Sequence, residues 1–178
     1  MKDLLKNKLR HSKPTVFFHW AVFLLILIAY LAINLRGLKG TERRFFFMQL
    51  HFLAGSLVLI LSLLRIGWRI IDRYPPALSR KKFFLLASRI VHAALYVFIL
   101  VQPLLGIMMI NMAGHPVTLS WLNISYTLFG KNEVWGHDVH NMHVWLGTIF
   151  YYVIGLHILV ALWHQFVKKD SLLKRMWF

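Results

Sequence analysis

The side chains with chemical potential in this sequence are its histidines: ten in 178 residues, beside no cysteine and only six carboxylates. Imidazole carries protons near neutral pH and is a common metal ligand. The lack of cysteine excludes disulfides, thiolate zinc sites, iron–sulfur clusters and covalent attachment of haem through a C-x-x-C-H run. Two of the histidines, His143 and His157, lie in the apolar stretch from Asp138 to Val167. Fourteen helical steps of 100° return to within about 40° of the starting direction. The two imidazoles therefore share a face, about 21 Å apart along the axis. A hydrocarbon bilayer core is about 30 Å thick, so one helix presents a nitrogen ligand near each side of a membrane. His19 and His51 lie in two other apolar stretches.

The elements that carry them follow from composition. The chain is 58% hydrophobic with long apolar runs, which marks an integral membrane protein. Four spans are expected, at roughly 15–36, 45–69, 83–110 and 138–167. The basic N-terminus precedes a run of spanning length with no small-residue cleavage site, so the first span is read as retained. Ser12 and Pro14 suit its start. The second span leaves through Arg65-Ile66-Gly67-Trp68-Arg69, and Tyr74-Pro75-Pro76 stops it. Gln102-Pro103 predicts a kink in the third. Residues 111–137, rich in Gly, Asn, Trp and Tyr, read as a polar interfacial loop. The fold class expected is an all-α, integral membrane four-helix bundle.

Lysine and arginine set the orientation. With both termini cytoplasmic, sixteen of the 21 lie inside and five outside, which commits the chain to N-in and C-in. His51 and His143 then share the outer half, and His19 and His157 the inner half. Each depth-matched pair draws on two helices, as bis-imidazole ligation of haem in a bundle requires. Spacing alone leaves a proton or ion pathway and simple packing open. The absence of carboxylates inside the spans argues against a proton channel or transporter. The net charge of +15 sits beside apolar helices, so it is assigned to topology and anionic lipid, and nucleic-acid binding is set aside.

The chain resembles the prokaryotic cytochrome b-561 family of four-helix dihaem membrane cytochromes, and the wider group of b-type cytochrome subunits of hydrogenases and formate dehydrogenases. The pieces that carry the likeness are Phe18-His19-Trp20, Leu50-His51-Phe52-Leu53-Ala54-Gly55, Leu64-Arg65 to Arg69, Val91-His92 to Tyr96 and Gln102-Pro103-Leu104-Leu105-Gly106. They continue with Met142-His143-Val144-Trp145-Leu146-Gly147, Gly155-Leu156-His157 and Trp163-His164 through Met176. The resemblance implies that residues 1–178 form one transmembrane dihaem cytochrome domain in a bacterial inner membrane. It implies two haems b, with His19, His51, His143 and His157 as axial ligands.

The remaining candidates surround those four. His92, with Tyr96 one turn away, is read as a neighbour of the inner haem or part of a quinone site, with ligation of iron as the alternative. His164 and Trp163 could meet a quinone headgroup or simply anchor the interface. His137 and His140 stand three apart and could form a surface metal site, though a solvated helix start explains them as well. Four haem propionates would need cations. Arg65 and Arg69 suit the inner haem, unless they are only the positive-inside anchor. Arg36, Arg43 or Arg44 suit the outer one, or an anionic donor. The resemblance includes bacterial enzymes that pass electrons from superoxide to ubiquinone. The alternative is an electron-relay subunit with a periplasmic dehydrogenase or hydrogenase as redox partner.

Overall fold

In the computed structural model, residues 10–72, 82–170 and 172–177 are described. Four long helices dominate: α1 (Lys13–Leu35), α2 (Glu42–Ile71), α3 (Lys82–Met112) and α4 (Glu133–Trp163). All four are long and apolar enough to cross a membrane. Many of their apolar side chains, such as Leu27, Leu63, Val97 and Leu159, are exposed and few are fully buried, as expected where the solvent is lipid. α1 packs along α2, and α3 along α4. The core between them is small: Val22, Val58, Ile99 and Phe150, with Phe98 stacked on Phe150 at 4.9 Å.

Local chemistry explains the helix starts. The Ser12 side chain accepts from Thr15 N–H, with Pro14 in the first turn. Thr41 does the same for Arg44 N–H, and Asn132 for Trp135 N–H. The Asn132 cap starts α4 at Glu133, five residues before the expected Asp138. Polar residues there disguise the first turn, and the cap decides it. At its far end α4 widens into a π turn, His164–Lys168, closed by Lys169 at φ 54°. α3 continues through Pro103. The expected stop at Tyr74-Pro75-Pro76 lies outside the described residues, and α2 is capped at Asp72.

The loop after α3 is more ordered than expected. It folds into an antiparallel hairpin, β1 (Val117–Leu119) and β2 (Ile124–Tyr126), pairing Val117 with Tyr126 and Leu119 with Ile124. Val117 and Leu119 are buried, and β1 packs on α2. Buried Gln49 of α2 accepts from Ser120 N–H at 2.8 Å. Ser56 of α2 meets the Tyr126 hydroxyl at 2.7 Å. Buried Asn111 accepts from Leu128 and Phe129 N–H and donates to the His115 carbonyl. Three side chains thus stand in for the missing ladder of so short a hairpin.

At the opposite end the termini meet. His11 N–H donates to Arg175 C=O, and Trp20 Nε1 to Met176 C=O. Asp72, just past α2, accepts from the hydroxyls of Ser12 and Thr15 at the start of α1.

Candidate haem sites

Facing histidines from different helices lie at both ends of the bundle. At the hairpin end, His51 of α2 and His143 of α4 have ring centres 6.3 Å apart, at 88°. At the terminal end, His19 of α1 and His157 of α4 are 6.4 Å apart, at 66°. Two imidazoles binding one metal from opposite sides, with bonds of about 2.0 Å, set their ring centres about 6 Å apart. Both separations fit that arrangement. Buried Phe150 lies midway between His143 and His157, seven residues from each, so its ring separates the two ends.

The hairpin-end pair is held for ligation. His51 Nδ1 lies 2.9 Å from Ala29 C=O of α1, and His143 Nδ1 lies 3.0 Å from Gln102 C=O of α3. A carbonyl can only accept, so each Nδ1 carries the proton and each Nε2 keeps its lone pair. All four helices therefore contribute. Gly106 makes the second contact feasible, since a Cβ there would lie 3.1 Å from His143 Cε1.

The terminal-end pair is held differently. Arg65 donates to His19 Nδ1 at 3.3 Å, which puts the proton of a neutral His19 on Nε2. Ligation through Nε2 needs Arg65 to leave Nδ1 so that the proton can move there. Arg65 is ready for another partner: its Nε is buried with no hydrogen bond, and the five carboxylates among the described residues all lie outside the apolar interior. An anionic propionate would meet that need, so these residues also fit haem. Arg65 and Arg69 both lie over the Tyr96 ring, at 5.3 and 5.0 Å, and Arg69 donates to its hydroxyl. His92 is 5.7 Å from His157 and bonded through Nδ1 to Ser88 C=O. This end therefore gathers His19, His157, His92, Arg65, Arg69 and Tyr96.

The other candidates lie apart from these pairs. Trp163 and His164 are one to two turns past His157. Lys168 stands 4.7 Å from the Trp163 ring. His164 Nδ1 lies 2.5 Å from an Asp170 carboxylate oxygen, a pairing created by the π turn and not readable as a helical i, i+4 contact. His137 and His140 are exposed, and among the described residues no group of three or more histidine or carboxylate side chains is placed to hold a single metal ion. Arg43 donates to Leu35 C=O and Arg44 to Gly37 C=O, so both close the end of α1. That is a local task the charge count does not reveal. Arg36 caps the same helix end.

The whole arrangement agrees with what the chain is similar to. The family model described as prokaryotic cytochrome b561 matches residues 10–178. Cytochrome b561 homolog 1 of Escherichia coli (strain K12) is 31% identical over 177 residues, covering 94% of this chain and 96% of that protein. A protein named probable superoxide oxidase CybB, from Yersinia pestis, is 28% identical over 171 residues, covering 94% and 95%. Cytochrome b561 homolog 2 of Escherichia coli (strain K12) is 29% identical over 130 residues, covering 72% and 69%. Four spanning helices, histidines facing across the bundle and a match along nearly the whole chain converge: the protein belongs to the prokaryotic cytochrome b561 family, membrane cytochromes that bind b-type haem and transfer electrons.

Proposed function

We propose that this cytochrome is a superoxide oxidase of a bacterial inner membrane, taking electrons from superoxide outside and delivering them to ubiquinone. The observation that carries the reading is the pair of imidazole sites at opposite ends of one bundle, at 6.3 and 6.4 Å. Likeness to the probable superoxide oxidase of Yersinia pestis supports the choice of donor. Haem b, when bound, supplies one-electron redox chemistry. His51 with His143, and His19 with His157, hold one haem each. His19, 6.4 Å from His157, is taken as its partner because the family resemblance points to it, and His92, 5.7 Å from His157, is the alternative ligand at that end. Arg65 and Arg69 neutralise propionates at the terminal end.

The lysine and arginine bias orients the hairpin end outward. Arg36 and Lys39 of the α1–α2 connection, with Arg43 and Arg44 of the first turn of α2 and offset by Glu42, then form a cationic outer patch that attracts a small anion. Two superoxide anions give up one electron each and leave as O2; one ubiquinone takes both electrons and two protons to become ubiquinol. Trp163, His164 and His92 are the candidates to meet the quinone, near the side from which those protons come.

The test is purified protein in detergent, supplied with enzymatically generated superoxide and a soluble ubiquinone. Superoxide-dependent quinol formation, abolished by superoxide dismutase, is expected. Haem that superoxide does not reduce would overturn the donor. The names of the Escherichia coli relatives carry no substrate, which keeps an electron-relay subunit as the second reading. Copurification of a dehydrogenase or hydrogenase subunit would favour it.

A further inference from the structure

Gln102 is a polar residue in the apolar middle of α3, and its contacts form a closed clamp with one residue of α4. Its side-chain amide donates to His143 C=O at 2.7 Å, while His143 Nδ1–H donates to the Gln102 C=O at 3.0 Å. Only the NH2 group can face a carbonyl, so the amide orientation is settled by chemistry. Its Oε1 is buried without a hydrogen bond. Such an orphan is costly, so a glutamine kept only for packing would do better as leucine. Glycine clears the space on both sides: a Cβ at Gly106 would lie 3.1 Å from His143 Cε1, and one at Gly147 would lie 2.8 Å from Gln102 Nε2. The Gly147 carbonyl is taken by the Tyr30 hydroxyl at 2.6 Å, which fixes that turn against α1.

We propose that Gln102 is a positioning residue for His143: the reciprocal clamp sets the imidazole's rotation and the strength of its Nδ1 hydrogen bond, and through these the redox potential of the hairpin-end haem. The inference rests on the reading of His143 as an axial ligand. A strong Nδ1–H bond to a carbonyl makes an imidazole a better donor and favours ferric over ferrous iron. Loosening the clamp should therefore raise the potential of that haem and turn its ring.

Two variants break the clamp from opposite sides. Gln102→Leu removes the amide at similar volume. Gly147→Ala pushes the amide away and leaves Gln102 in place. Gly155→Ala, where an added Cβ meets nothing within 4 Å, is the control. The readouts are haem-to-protein ratio, spectroelectrochemical titration, and low-temperature EPR of the ferric haems, whose g values report the mutual angle of axial imidazoles. Both clamp variants should move one low-spin EPR signal and raise one midpoint potential, with the second haem and the Gly155→Ala protein unchanged. Selective loss of that one haem also supports the clamp. Should Gln102→Leu fail to fold, Gly147→Ala decides alone. Unchanged EPR and potentials in Gly147→Ala, with both haems kept, overturn the proposal. His143→Ala tests the underlying reading separately: retention of both haems there removes the ligand, whatever the clamp variants do.

Discussion

His51 and His143 reach into the bundle from helices that do not pack most closely on each other, and each is anchored by a backbone carbonyl of a third or fourth helix. The anchor fixes the tautomer, which is what a neutral imidazole needs to offer Nε2 to a metal. His19 lacks that arrangement and instead receives Arg65. The two ends should respond differently to substitution. Changing His51 to Ala should remove the hairpin-end haem and spare the other, halving the haem content; His157→Ala should remove the terminal-end haem. Pyridine haemochrome quantitation with redox titration of the survivor reads this directly. If His51→Ala and His19→Ala eliminate the same haem, the pairing is wrong. Arg65→Gln should lower haem affinity at the terminal end alone, because it removes the cation offered to a propionate.

At the scale of elements, the connections carry as much as the helices. The first turn of α2 uses Arg43 and Arg44 to close the end of α1, yet their charge still projects outward in the proposed orientation. Replacing both by Gln should slow haem reduction by superoxide and flatten its salt dependence, since screening shortens from about 30 Å at 0.01 M to about 10 Å at 0.1 M. Stopped-flow spectroscopy at several ionic strengths measures it. A double variant that keeps its haems, with the wild-type rate and no salt effect in either protein, would show that these cations do not steer the donor. Loss of the hairpin-end haem would instead assign the cations to propionates. At the other end, Asp72 ties α2 to Ser12 and Thr15 of α1. Asp72→Ala should cost about 1.5–3 kcal/mol, the usual range for hydrogen bonds to a charged group, and appear as a lower temperature of haem release.

For the whole molecule the expected cofactor content is two non-covalent haems b per chain. Acid–acetone should extract both, and a ratio near one, or haem left on the protein, counts against the assignment. Much of this architecture is legible in the sequence, because membrane helices obey a constraint that local composition expresses: every backbone polar group must be satisfied inside the span. Hence the four apolar runs, and hence the histidines on one face of α4, whose spacing is a property of the helix alone. The family likeness is likewise carried by short motifs in order along the chain. The tertiary structure decided what depends on contacts between segments distant in sequence. Three-residue strands cannot be read from periodicity, so the hairpin and its pins Gln49, Ser56 and Asn111 emerge only once α2 and α3 stand side by side. The His164–Asp170 pair needs a π turn that no 3.6-residue pattern anticipates. The Gln102 clamp depends on two glycines letting α3 and α4 approach at one turn. Depth in a membrane is a one-dimensional property that a sequence carries by itself. Which carbonyl an imidazole meets is set by the lateral packing of helices, and that exists only in the folded bundle.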